Sequence, residues 1–446
     1  MGVTKELVTF LLVTRFQDFP REVVDRGKEL MIDFIGGALG GSQTRVSNIM
    51  TEYVKEKDAI SEAGVIGKNL RTTAAFASYL NGIFNHSTEL ESVSQRTSPN
   101  PLATIVVSLA VGEKMALSGK EVLEGFILGF EIQGRVGGSS LAGVSKKGRI
   151  SIFNHLGAAA TASKLLKLNL NQSRMALGIA AFQAGGLIAN VGTMAHVLEL
   201  AVAARDGIEA TELAKKGVTS HPEIIETPQG FCDALIEEGG YDLKKMTKDL
   251  GKTFQIVEPG ISIKKYPCCY RSHRALDALF DLVAEHHLSY HDIDKVTVDL
   301  NLYDSYLMKF PNPETGEEAK FSYPHILGAA ILKGKVWLDS FTDESAMDDR
   351  YQEARKKIEV VVHSEWPSGR VDARTPVTVK LKDGRVFSKE VQTPREPSLD
   401  ELLNRYREAA SGILKRDQTE KSIDLILKME KVKDVSEIMN LLAVQG

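Results

Sequence analysis

Cysteine is scarce in this chain and poorly placed for structural work. Only Cys232, Cys268 and Cys269 occur among 446 residues; the number is odd, two are adjacent and no C-x-x-C is present. That argues against a disulfide framework and against a cysteine zinc site. The ten histidines include no H-E-x-x-H and no set with ligand spacing on a helix face, so no metal is expected. Positive charge is also short: a formal net charge of -4 gives no general attraction to nucleic acid or to an anionic membrane. No apolar run reaches the length of a bilayer span. The N-terminal MGVTKELVTFLLVTRF lacks a basic n-region and a small-residue cleavage site, and Glu6 stands where a myristoylation signal needs Ser or Thr. It reads as an amphipathic first helix of a cytoplasmic protein. Gly-x-Ser-x-Gly, P-loop and kinase patterns are missing, and no strand precedes the glycines at 185–192 as a dinucleotide fingerprint requires, so no cofactor is expected.

What remains is an ordinary globular composition, 43% hydrophobic and 26% charged, in a chain too long for one core. Up to about residue 260 the periodicity is helical throughout. Val23 to Ile35 forms a segment opened by Pro20 and expected to stop at the glycines of 36–41; 69–86, 101–116, 119–134, 157–168, 175–187 and 196–213 follow. The later helices are rich in Ala and Gly and apolar on most faces, which suits close packing in a buried bundle. After that the period changes to two: Lys295–Leu302, Ile358–His363, Val377–Leu381 and Val386–Val391, the last two flanking the hairpin turn Lys382-Asp383-Gly384-Arg385. Helical stretches at 272–287, 323–334 and 398–415 are interleaved with them. The expected fold is a large all-α helical domain over 1–262 and a smaller α+β lid domain over 263–399, with 400–446 returning to the first.

The densest chemistry lies in Lys264-Lys265-Tyr266-Pro267-Cys268-Cys269-Tyr270-Arg271-Ser272-His273-Arg274. Pro267 enforces a non-helical loop through Tyr266, and Ser272 is placed to cap the helix that follows. A rigid cationic loop feeding a helix start is suited to a carboxylate or phosphate, although a solvated basic loop is as good a reading of the composition alone. Glu89 and Glu91 end the 69–86 helix as possible acid–base groups, with a solvated helix end the plainer reading. His196 follows Gly192-Thr193-Met194, and His325 follows Phe321-Ser322-Tyr323-Pro324. A lone histidine in such a place is more often structural than catalytic.

Taken in order, these segments resemble the MmgE/PrpD family, which includes 2-methylcitrate dehydratase, cis-aconitate decarboxylase and iminodisuccinate epimerase. The matching elements are Asn81-Gly82-x-x-x-His86, Gly129-Phe130-Glu131-x-x-x-Arg135, Gly157-Ala158-Ala159-Ala160, Gly192-Thr193-Met194, Lys264-x-Tyr266-Pro267-Cys268-Cys269 with His273, and Phe321-Ser322-x-Pro324. The resemblance implies a homodimer with a pocket between the domains and no cofactor. Its substrate would be a small di- or tricarboxylate, losing a proton beside a carboxylate. It places Lys264, His196, His325 and Glu89 as catalytic groups, and His86, Arg135, Tyr266, Cys269 and His273 as substrate-binding ones. The chain departs from the family where histidines are usual, at Ser98 and Gly148. It has His196 in place of a lysine, Cys269 in place of a histidine and His325 in place of a tyrosine. Dehydration, decarboxylation and epimerisation all stay open, as does a member that only binds. If proton transfer has moved to His196 and His325, Lys264 nearby should keep the imidazole at or below its ordinary 6.5, with His155 as an uninvolved control.

Overall fold

The computed structural model describes residues 2–57, 59–94, 100–141, 148–236, 239–367 and 373–444. Two separate hydrophobic cores divide it. The first is built from Leu7 through Ile263 and again from Leu402 through Leu442. The second runs from Tyr266 to Leu381.

The large core is helical because its segments carry little but small and aliphatic side chains on most faces. The helices Ala74–His86, Leu102–Lys114, Asn154–Leu165 and Met194–Lys215 pack at its centre, with Arg21–Gly41 and Gly119–Gly138 beside them. The Arg21–Gly41 helix does not stop at its glycines as the sequence pattern suggested; it continues through all of them. The reason is contact. A Cβ on Gly41 would lie 1.7 Å from the Phe84 carbonyl oxygen, so these glycines let two helices touch rather than ending one. Two short ladders also occur within this mostly helical part, Ala63–Gly64 with Arg71–Thr72 and Val93–Ser94 with Ile261–Ser262. The second ladder bears directly on the site.

In the smaller α+β domain four strands form one sheet in the order Ile358–His363, Ile293–Asn301, Val377–Leu381, Val386–Lys389. The first pair is parallel and the others antiparallel. Val296, Val298 and Leu300 face the core in the alternation a half-buried strand requires. Gly384, at φ 92°, supplies the left-handed residue of the expected hairpin. The helices His273–Glu285 and Tyr323–Lys333 belong to the same core. Ser272 precedes the first of these but does not cap it; its hydroxyl donates to the Cys269 carbonyl instead. Leu399–Ala410, Arg416–Leu427 and Ser436–Leu441 then rejoin the large core. Among the described residues no helix is long and apolar enough to cross a membrane.

Candidate active site

Local geometry brings residues 173 and 175 positions apart into one buried cluster. The Ala74–His86 helix is capped by the Thr73 hydroxyl and ends at His86. Glu89 then adopts a positive φ of 54°, uncommon for a residue other than glycine, and the chain turns into the strand Val93–Ser94. That strand pairs with Ile261–Ser262, only two residues before Lys264. The pairing is what sets the carboxylates of Glu89 and Glu91 beside the lysine.

The ammonium of Lys264, 2% exposed, donates to Glu89 Oε2 at 2.8 Å and to Glu91 Oε1 at 2.6 Å. On the far side of Glu89, its Oε1 lies 3.4 Å from His196 Nε2 and 3.8 Å from His86 Nε2. The two imidazoles meet edge to face at 4.8 Å, and Phe321 of the small domain packs against His196. His86 Nδ1 is 3.0 Å from the Val197 carbonyl oxygen. His196 Nδ1 is 3.5 Å from Glu199 Oε1, which accepts from the Ser151 hydroxyl at 2.8 Å.

Burial is nearly complete, and each protonation state depends on whether neighbouring charges outweigh it. Burial lowers the His196 pKa, but the carboxylates of Glu199 and Glu89 outweigh it and push the imidazole up to about 10. This reverses the expectation that Lys264 would keep His196 at or below 6.5. Burial does prevail at His86, lowered to about 4 with help from charged His196, and at His273, lowered to about 3 with help from Lys264. Burial would raise Glu89, but Lys264 and His196 hold it well below the usual carboxylate range. Glu91 is pushed up to about 7, first by burial and then by the Glu89 charge, against the pull of Lys264. Its Oε2 is buried without a hydrogen-bond partner. The site therefore combines a fixed ammonium, an imidazolium and one carboxyl poised to change protonation near neutrality.

The structure thus brings together Lys264, Glu89, His196 and His86. Cys269 lies near enough for the Glu89 charge to help burial push its thiol up to about 11. His325 is elsewhere: its Nε2 is 2.7 Å from the Ser340 carbonyl oxygen and its ring stacks on Tyr351, inside the small domain. Arg135 pairs with Glu131 and donates to the carbonyls of Lys248, Asp249 and Thr253, bracing that loop from inside the large domain. The Tyr266 hydroxyl donates to Asp277 at 2.9 Å, and His273 packs between Tyr266 and Tyr270 with its Nε2 3.3 Å from the Cys268 carbonyl oxygen. These contacts tie the loop that follows Lys264 to the helix His273–Glu285. His155 is buried 3.6 Å from Asp206. Ser98, Lys146 and Lys147 lie outside the described residues.

Two participants were missed or undervalued from the sequence. Glu91 was read as one half of a solvated helix end, yet it is buried; nothing local announces that a lysine 173 residues away will neutralise it. Glu199 was overlooked, although His196-x-x-Glu199 on one helix has the i,i+3 spacing that puts two side chains on the same face. Donor atoms of His86, His196 and Glu199, and of His86, Glu89 and Glu91, lie within 4.8 Å of one another, a spacing that a metal ion tolerates. In the second group the Lys264 ammonium already supplies the balancing cation. Next to the cluster, beyond Thr88 and Met194, a cleft of about 750 Å³ opens between the domains, bordered on the other side by Pro267, Lys320 and Phe341.

Residues 5–244 match the MmgE/PrpD N-terminal domain and residues 266–431 the MmgE/PrpD C-terminal domain. The chain belongs to the MmgE/PrpD family and, like its decarboxylase relatives, is an enzyme of lyase type. It is 27% identical to the cis-aconitate decarboxylase of Mus musculus over 94% of this chain and 89% of that protein. It is 26% identical to the Homo sapiens cis-aconitate decarboxylase over 99% and 94%, and 27% identical to a cis-aconitate decarboxylase-like protein of Aspergillus oryzae over 99% and 97%.

Proposed function

We propose that this enzyme acts on a small di- or tricarboxylate without a cofactor, either expelling CO2 and protonating the carbon left behind, or removing a proton beside a carboxylate and expelling water. The observation that carries this reading is the Lys264 ammonium held between Glu89 and Glu91, with Glu91 able to change protonation near pH 7. When a carbon next to a carboxylate loses its proton, negative charge spreads onto the carboxylate oxygens. A preorganised ammonium in a dry site steadies that charge far better than water does. In dehydration Glu91 is the group suited to take the proton, and in decarboxylation the Lys264 ammonium alone faces the charge left by CO2. His196, held as an imidazolium by Glu89 and Glu199, is the donor suited to protonate a leaving oxygen or the product carbon. The decarboxylase relatives favour loss of CO2 and make cis-aconitate the first compound to try, with dehydration second. The cleft between the domains is the proposed route of entry. An epimerase would need a second base across the substrate, and the sequence offered His325 for that; its contacts with Ser340 and Tyr351 give this alternative no support.

The test is incubation with cis-aconitate and a panel of small di- and tricarboxylates in D2O, followed by proton NMR. The expected result is a decarboxylation product carrying solvent deuterium at the carbon that lost CO2 or at its allylic partner, or else a dehydration product without it, neither of them formed by the Lys264→Met variant. Exchange of the α-proton without elimination would turn the reading to epimerisation. Ligand-induced stabilisation with no exchange at all would make the protein a binder.

A further inference from the structure

Directly under Lys264 is a second set of buried charges that the proposed chemistry does not use. Arg405, on the Leu399–Ala410 helix, donates through Nη1 to the backbone carbonyl of Lys264 and through Nη2 to Asp33 on the Arg21–Gly41 helix. The other oxygen of Asp33 accepts from the hydroxyl of Ser92, the residue that follows Glu91. Asp33 and Arg405 are both buried side chains, 2% and 10% exposed. One carboxylate–guanidinium pair therefore grips the chain at both ends of the Lys264–Glu91 contact, through a carbonyl on one side and a hydroxyl on the other.

We infer that Asp33 and Arg405 are positioning residues that hold the Lys264 ammonium close against Glu91, adding to the strand pairing a link that depends on the docked Leu399–Ala410 helix. A buried ion pair is a poor device for stability alone, since removing both charges from water costs about as much as their attraction returns. Its value is directional. The planar guanidinium meets two acceptors on different chain segments at once, which a lysine ammonium on a flexible stem does not reproduce. Glu91 faces Glu89 and Lys264; Lys264 faces both carboxylates and also acts on His86, Cys268, Cys269 and His273; Asp33 faces Arg405, Ser92, Arg26 and Lys264. The ladder of Val93–Ser94 with Ile261–Ser262 brings the two segments side by side, and the Asp33–Arg405 pair then ties the Lys264 carbonyl to Ser92.

This inference rests on Lys264 and Glu91 being the working pair, and its test needs no turnover. The Glu91 carboxyl is followed by infrared titration as the protonated C=O band that disappears in Glu91→Gln. In Arg405→Lys, Arg405→Met and Asp33→Asn the ammonium is no longer pinned, and the midpoint should rise by about one pH unit, the size expected when a close opposite charge is partly lost. The Asp33→Leu/Arg405→Met double variant leaves no orphaned charge, so it should keep a near-wild-type Tm and still show the shift. A fall in Tm with an unmoved midpoint in Arg405→Lys and the double variant would overturn the inference and leave the pair a purely structural contact. Lys264→Met moving the midpoint while the Arg405 variants do not would overturn it too, without touching the proposed function.

Discussion

Lys264 has two duties, and substitution separates them. Its ammonium bonds two buried carboxylates at once, so Lys264→Ala leaves Glu91 without its cation and Glu89 with His196 alone. We expect a loss of about 3–5 kcal/mol of stability by chemical denaturation, the usual result of stripping one partner from a buried pair. Lys264→Met/Glu91→Gln should recover most of that stability. In neither variant should activity return, because losing the charge donor costs about 3 kcal/mol of transition-state stabilisation, roughly a hundredfold in kcat. Lys264→Arg should not rescue turnover, since a planar fork cannot take the place of a compact ammonium. A variant that raises KM and spares kcat would reduce the lysine to an anchor. The pH profile reads the next residues. In dehydration Glu91 must be ionised to accept a proton, so kcat should climb as pH rises through about 7; in either reaction it should fall toward about 10 as His196, the proton donor, loses its proton. Glu91→Gln removes the lower limb and His196→Asn the upper one. The sequence pointed to a histidine base with a limb at or below 6.5, because it shows which residues carry charge and not which of them become neighbours. Lys264, Glu89 and His196 could be found from their motifs; the carboxylate at 199 that turns His196 into an acid could not be weighed without its distance.

At the level of elements, most helices and all four strands of the small sheet follow from periodicity, because apolar spacing of 3.6 or 2 is imposed by burial of one face. The errors came where a residue serves a neighbouring element. The glycines of 36–41 look like a helix end, and Gly41 is in fact a contact point with the Ala74–His86 helix, whose last residues lead into Glu89. Gly41→Ala should therefore push the two helices apart, lowering stability by about 1–3 kcal/mol as an overpacked core does. Activity at a temperature well below Tm should also drop, because the Glu89 turn moves with the helix. Thermal unfolding by circular dichroism alongside a fixed-temperature assay checks both. Unchanged Tm would mean that the helices accommodate the methyl group and that the close approach is incidental. The Val93–Ser94 ladder with Ile261–Ser262 escaped prediction for a different reason: two residues are too few to show a period, yet this pairing aligns the site.

At the scale of the whole molecule, a protein that meets a carbanion with its own ammonium has no need of a metal there. Turnover should survive dialysis against a strong chelator and require no nucleotide, and recovery only upon adding a divalent cation would refute this. The two cores also have a temporal meaning. Tyr406 packs its Cα 3.4 Å from where a Cβ on Gly36 would lie, and Ile426, Met429 and Val435 are fully buried in the same large core as Leu7. During synthesis, then, the ribosome must deliver residues 266–381, which make a core of their own, before the large domain that began first can be finished. A chain cut short of Leu399 would lack the helices that complete the first core and the Arg405 contact to the Lys264 carbonyl. In the arrangement proposed above, the Leu399–Ala410 helix closes the first core and braces the Lys264 loop in one step.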